Sequence, residues 1–271
     1  MIFGVGGGEM LCAPPDYAES HVADTDHPFA GLVSRLEANQ TLSREDREAL
    51  LHLPNKLRQL DPGTYIVREG DRPRACGVLI SGFAYRQKVT GDGARQIIGL
   101  HVPGEALDFQ NLFLEVSDHN VQMLTRGEIA EVPIEAFQKI ALERPNVGRA
   151  ILVTTLVEAS VFREWVLNIG RRDSRSRLAH LLCEFALRLE AGGAARPDHG
   201  YELPMTQEQL ADATGLTPVH VNRVLKMLEA EGLIVRNRRH ISFPDWHRLR
   251  DVGDFNQRYL HVRDRATNGV F

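Results

Sequence analysis

Residues 206–228, TQEQLADATGLTPVHVNRVLKML, decide how the chain is read. Thr206 and Gln209 have the spacing of a capping box, in which a hydroxyl and an amide side chain satisfy the free N–H groups that open a helix. Leu210 and Ala213 face inward, and Gly215 permits the positive φ of a sharp turn. Thr217 then caps a second helix whose first residue is Pro218, where a missing N–H does no harm. Val221, Val224, Leu225 and Leu228 recur at helical spacing and form its buried stripe. That leaves Val219, Asn222, Arg223 and Lys226 on the open face, with His220 beside them. An amide, a guanidinium and an ammonium on one exposed helical face suit base edges and phosphates, because Arg pairs bidentately with guanine and Asn with adenine. The pattern is a helix-turn-helix signature; the competing reading is an ordinary helical hairpin with a solvated polar face.

Two neighbouring features favour the first reading. Leu233-Ile234-Val235 and Ile241-Ser242-Phe243 are strand-like runs around Arg236, Asn237, Arg238, Arg239 and His240, which makes a basic β-wing placed to touch phosphates. Charge is also unevenly distributed: residues 171–271 hold 16 Lys/Arg against 13 Asp/Glu, whereas residues 1–170 hold 16 against 23. An acidic chain thus carries a basic C-terminal part.

Through residues 210–234, LADATGLTPVHVNRVLKMLEAEGLI, the chain resembles the Crp/Fnr family of bacterial transcription regulators. The resemblance implies a winged helix-turn-helix that binds double-stranded DNA as a homodimer, with RNA polymerase as a further partner. Thr206, Thr217, Lys226, Arg236, Arg238 and Arg239 would hold phosphates, Arg223 would read a guanine with His220 and Asn222 assisting, and Val219 would sense a thymine methyl. Pro218, Val219 and Asn222 depart from the pattern of the cyclic-AMP receptor branch, so the half-site should differ from that branch's.

At 271 residues, 43% hydrophobic and 25% charged, the chain has room for two domains with their own cores. No apolar run approaches the roughly 18 residues of a membrane span, and the opening MIFGVGGGEMLCAPP is a poor signal peptide, so a cytoplasmic protein is expected. Cys12, Cys76 and Cys183 lack disulfide or zinc spacing and read as free thiols. The thiolates of an Fnr-type iron–sulfur cluster are missing.

Residues 1–27 show no periodicity and read as a flexible arm. Phe29, Leu32, Val33 and Leu36 then repeat at helical spacing, and Ser43 caps a second short helix. From residue 56 to 133 short apolar runs alternate with turn signals at 61–63, 69–71, 81–82, 90–93 and 103–104, which suggests an antiparallel barrel or jelly roll. The order Pro-Gly, Glu-Gly-Asp, Ser-Gly, Pro-Gly-Glu resembles the sensor barrel of the same family. The expected fold class is therefore α+β. A jelly-roll domain occupies 28–133, a dimerisation helix region 134–170, a winged helix-turn-helix 171–247 and a C-terminal tail 248–271. Gly192–Pro197 reads as a surface loop.

Two apolar stripes run along residues 146–169, one through Val147, Ile151, Thr154, Val161 and Trp165, the other through Leu152, Leu156, Ala159, Val166 and Ile169. A helix that packs on one side only needs one stripe, and the 3-4 spacing suits a two-stranded coiled coil. A helix with two stripes is either deeply buried or packs its own domain on one side and a partner on the other. The family resemblance implies the partner, and the first stripe is assigned to the dimer interface, where the seam either opens at Glu158 or sets it against a basic group.

In the cyclic-nucleotide branch a Gly-Glu pair opens a phosphate cassette and an Arg about a dozen residues on neutralises the phosphate. Gly104 and Glu105 match the first part; Ser117-Asp118-His119-Asn120 stand where the Arg would be. A buried phosphate facing Asp118 without a cation is costly, so cyclic AMP is not the expected ligand. Gly104, Glu105, Asp118 and His119 remain the candidate pocket for a small-molecule effector of unknown identity. His101 and His119 stand singly near strand ends, the setting of hydrogen-bonded histidines, and no metal or cofactor is expected. No catalytic constellation is present, so an enzyme is not expected. The competitor from another class is a ligand-binding or scaffold protein whose winged helix contacts protein.

Overall fold

Ser43 shows how local chemistry starts the fold. Its hydroxyl accepts from the Asp46 N–H while the Asp46 carboxylate accepts from the Ser43 N–H, and this capping box opens α2 (Arg44–Leu51) after α1 (Ala30–Asn39). The computed structural model describes residues 27–192 and 200–261. The arm expected at 1–26, with Cys12, and the loop from residue 193 lie outside the described residues.

Seven strands follow: β1 (Lys56–Leu60), β2 (Tyr65–Val67), β3 (Ala75–Ser81), β4 (Ala84–Val89), β5 (Arg95–His101), β6 (Asn120–Met123) and β7 (Gly127–Pro133). They form two antiparallel sheets, ordered β1-β7-β3 and β2-β6-β4-β5. Leu60, Val67, Leu79, Ala84, Leu107, Val121, Met123 and Ile129 fill the space between them. Strand β1 had no apolar run to announce it, because only Leu60 of KLRQL is buried and the strand lies at a sheet edge. A second core packs Phe29, Leu32, Leu36 and Leu50 on Cys76, Val78, Ala130 and Val132, together with Phe137 of α3 (Ile134–Glu143).

Pro145 opens α4 (Pro145–Arg171), whose 27 residues span about 40 Å. Its first apolar stripe is turned toward the rest of its own chain, so Val147, Ile151 and Trp165, expected at a dimer interface, are buried there, and Thr154, Glu158 and Val161 are half-buried. Val147 and Ile151 are buried in the second core, Val161 packs on a core shared by the barrel and the C-terminal helices, and the Trp165 indole N–H donates to both Glu184 carboxylate oxygens at 3.1 Å. Thr154 donates its hydroxyl to the Ala150 carbonyl, and Glu158 lies 3.5 Å from Arg86, the basic partner its position called for. The second stripe is the open one: Leu152, Leu156 and Val166 are 58%, 58% and 72% exposed, with Ala159 half-buried between them. The two stripes have closely similar spacing, and only the side on which the neighbouring helices and the barrel pack distinguishes them.

Helix α4 runs through Gly170 and ends at Arg171; extended backbone at Arg172 and Asp173 leads into α5 (Ser174–Ala191), capped by the Asp173 carboxylate accepting from the Ser176 N–H. Then come β8 (Tyr201–Glu202), α6 (Gln207–Thr214), α7 (Pro218–Ala230), β9 (Val235–Asn237), β10 (His240–Ser242) and α8 (Trp246–Val252). The wing sheet is ordered β8-β10-β9. Leu233 and Ile234, expected in a wing strand, instead enter the core just before it.

The stretch read as a C-terminal tail is folded through His261; residues 262–271 lie outside the described ones. After α8 a 3-10 turn, Gln257–Leu260, brings Phe255, Tyr259 and Leu260 into the core. The buried His180 ring lies 3.2 Å from the Gly253 carbonyl and 3.1 Å from the Tyr259 hydroxyl, and Tyr259 donates to the buried Glu184 at 2.8 Å. Burial raises the Glu184 carboxyl above its ordinary range and lowers the His180 imidazole to about 4. The irregular spacing of these aromatics gives no period, so the sequence does not announce the segment.

Candidate nucleic-acid interface

Each end of α6 and the start of α7 is fixed by its own side chains. The Thr206 hydroxyl accepts from the Gln209 N–H at 3.2 Å, and the Gln209 amide oxygen accepts from the Thr206 N–H at 2.8 Å. Gly215 takes φ 64, the left-handed conformation that turns the chain between the helices. The Thr217 hydroxyl then accepts from the His220 N–H at 3.2 Å. Val221, Val224, Leu225 and Leu228 are buried, which sets the rotation of α7 about its axis. Burial of each such side chain stabilises that placement by about 1.5–3 kcal/mol.

The opposite face forms a shallow concavity lined by Gln207, Pro218, Val219, Asn222, Arg223 and Lys226. Val219 is 82% exposed. Among the described residues the Arg223 and Lys226 side chains make no hydrogen bond or close ion pair, although the Lys226 charge acts at longer range on Glu229, so the Arg223 guanidinium stands free in water. His220 is turned away from this face, its Nε2 lying 3.1 Å from the Ser174 hydroxyl, and is half-buried. It differs in this from the assisting role expected of it. Gln207, which periodicity could not single out, joins the face because the turn at Gly215 brings the start of α6 beside α7; its Oε1 accepts from Asn222 Nδ2 at 3.3 Å.

In the wing, Asn237 pairs with His240, so the turn is only Arg238-Arg239. Arg238 is exposed at φ 55, a backbone region that usually falls to Gly or Asn and costs a side-chain-bearing residue roughly 1–2 kcal/mol. Such strain is concentrated at functional sites. Arg236 is bound to Glu229 at 2.6 Å and Arg239 donates to the Pro204 carbonyl at 3.0 Å. Of the three wing arginines, Arg238 alone among the described residues has its side chain uncommitted.

Comparison with known proteins agrees with this geometry. Residues 176–252 match a Crp-like helix-turn-helix domain and residues 57–144 a cyclic nucleotide-binding domain. A "Probable transcriptional activator" of Rhizobium leguminosarum bv. viciae is 30% identical over 244 residues, covering 86% of this chain and 97% of that protein. The chain belongs to the Crp/Fnr family of transcription regulators. The transcriptional activator protein FnrL of Cereibacter sphaeroides is 29% identical over 202 residues, or 73% of this regulator and 80% of the relative. Among solved structures, FixK2 of Bradyrhizobium japonicum shares the fold with a TM-score of 0.67 and 22% identity, over 74% of this chain and 98% of that one.

In this Crp/Fnr regulator the residues expected to form an effector pocket fall into two places. Gly104 turns at φ 86 against the backbone of Gly31, where an added Cβ would lie 2.9 Å away. Glu105 then faces the seam between the barrel and the DNA-binding domain. Its carboxylate accepts from Arg188 of α5 at 2.8 and 3.1 Å, with Arg35 and His101 each at 3.3 Å. Burial by itself would raise this carboxyl, but the guanidinium charges of Arg188 and Arg35, with His101, outweigh it and hold the group well below the ordinary range. Glu105 is thus taken up in an ionic clasp between domains.

His119 is on the barrel side, 3.3 Å from Asp108 and 2.7 Å from the exposed Asp118, whose carboxyl the His119 hydrogen bond lowers. Asp108 in turn lies 3.9 Å from Arg86, whose guanidinium donates to the Leu107 carbonyl at 2.8 Å and faces Glu158 of α4. The sequence reading missed Arg86, Asp108 and the buried Asn111, whose amide donates to the Asp108 carboxylate. The available signal was Arg86-Gln87 inside a strand that is otherwise apolar at its start. Arg86 is the cation that the loop lacks, but two carboxylates already neutralise it. Among the described residues no group of His, Cys, Asp or Glu has metal-site geometry, and no helix is long and apolar enough to cross a membrane.

Proposed function

We propose that this chain acts as a homodimeric, sequence-specific regulator that reads an inverted-repeat operator through α7, with Arg238 at the wing tip on a phosphate. The observation that carries this reading is the free Arg223 guanidinium on the Val219–Asn222–Lys226 face, held outward by a fully buried opposite stripe. The open heptad-spaced stripe Leu152, Leu156, Ala159 and Val166 supplies the surface for a second copy. Two copies related by a two-fold axis would set their α7 helices in successive major grooves about 34 Å apart. The expected setting is the cytoplasm, with RNA polymerase as the second partner and no catalytic role. A small molecule would gate the dimer through the Arg86–Asp108–His119 group, which touches α4 at Glu158.

The test is a set of binding titrations on a selected operator and its single-base variants. Arg223→Ala should cost roughly 1–3 kcal/mol and relax preference at one base pair, whereas Lys226→Ala should weaken all sequences alike. Equal losses for Arg223→Ala on every sequence would sink the base-reading role. Binding that does not weaken as salt rises would instead favour a protein-contacting winged helix.

A further inference from the structure

The concavity on the reading face contains one residue outside the recognition helix. Gln207 is exposed at the first position of α6, yet its Oε1 accepts from Asn222 Nδ2 at 3.3 Å across the helix-turn-helix. We propose that Gln207 is a positioning residue for base recognition: it holds the Asn222 carboxamide in the one orientation that reads adenine. The inference rests on the reading above that α7 enters the major groove.

A lone exposed Asn can rotate its amide by half a turn and so present donor and acceptor in either order. Adenine offers N7 as acceptor and N6–H as donor, so only one order makes the bidentate pair. The Asn222 NH2 carries two hydrogens. One is spent on Gln207 Oε1; in the proposed pose this is the hydrogen pointing away from Oδ1, so the other stays beside Oδ1 and forms the donor–acceptor edge adenine requires. A flipped Asn222 would set Oδ1 against Gln207 Oε1, acceptor against acceptor. A concerted flip of both amides is opposed on DNA, because it would turn Gln207 Oε1 instead of its NH2 toward the anionic backbone. With the His220 ring engaged by Ser174, Asn222 is the carboxamide of α7 that faces the groove on this side.

The experiment selects operators from random duplex DNA with the full chain and with three variants. Wild type should show an adenine preference at one position of each half-site, and Asn222→Ala should lose roughly 5- to 150-fold of it. Gln207→Met, isosteric but unable to accept, should lower the same preference roughly 3-fold or more and leave the other positions unchanged. Gln207→Glu, which still accepts from Asn222, should keep the preference while lowering affinity for every sequence by repulsion from phosphates. The proposal is overturned if Gln207→Met leaves every preference intact, or weakens all sequences alike as loss of a phosphate contact would. Failure of the wild type to select any sequence is a separate result that removes the DNA-reading assignment itself.

Discussion

The Glu105 clasp offers the most direct test of how the two domains are coupled. Glu105→Gln replaces a carboxylate by a neutral isostere and leaves Arg35 and Arg188 facing each other over an amide. The side chains involved are 19%, 17% and 14% exposed for Arg35, Glu105 and Arg188, so water screens the pair only partly. Breaking a buried ion pair typically costs about 3–5 kcal/mol, and this partial exposure argues for the lower end, about 3 kcal/mol. For a chain of this size that corresponds to a fall of about 6–12 °C in Tm. Arg188 also lies 3.4 Å from Glu184, whose raised carboxyl can take up a proton when the cation goes, so Arg188→Met should cost no more than Glu105→Gln. A double-mutant cycle in urea should return a coupling of about 2 kcal/mol between the two positions. A loss below about 1 kcal/mol for Glu105→Gln, or strict additivity with Arg188→Met, would refute the clasp.

Three further outcomes are expected. Leu156→Lys on the open stripe of α4 should give a monomer in analytical ultracentrifugation with unchanged circular dichroism, whereas Ile151→Ala should cost about 2–5 kcal/mol of stability and leave the dimer intact; the reverse pattern would return the interface to the first stripe. His180 is neutral in the fold with its pKa lowered to about 4, so between that value and about 6.5 the unfolded chain binds a proton that the native chain does not. Stability should therefore fall as pH drops through this window, by about 2 kcal/mol between pH 7 and pH 5, and denaturation curves of His180→Gln should show that much less pH dependence; equal slopes for both proteins would remove the assignment. Arg238→Ala should weaken binding to every DNA sequence alike and reduce the salt slope by about 1; a loss confined to one base pair would make the wing a base reader.

What the sequence determined by itself is the part of the molecule whose causes are local. Thr206, Gln209, Gly215, Thr217 and Pro218 each act within a few residues of themselves, so caps and turn could be read before any contact was known. The buried stripe of α7 follows from a 3.6-residue period, which also fixes Arg223 and Lys226 on the other face. The barrel was legible through its turn glycines, except at β1, where an edge strand buries too little to leave a pattern.

Tertiary structure decided everything that depends on which of two equivalent surfaces meets a neighbour. The two stripes of α4 have closely similar spacing, and the packing of α1, α3 and the barrel on one side turns Val147 and Ile151 inward and leaves Leu152 and Leu156 open. Glu105 has the sequence setting of a ligand carboxylate, yet its partner is Arg188, 83 residues away. Arg86, Asp108 and His119 come from separate segments, as do Gln207 and Asn222, and spacing along the chain holds no record of such pairs. The aromatics after Trp246 carry no period because they fill gaps around His180 and Glu184, one side chain at a time. A local rule can be read from residues that obey it together; a long-range contact is set by shape and charge brought together only on folding.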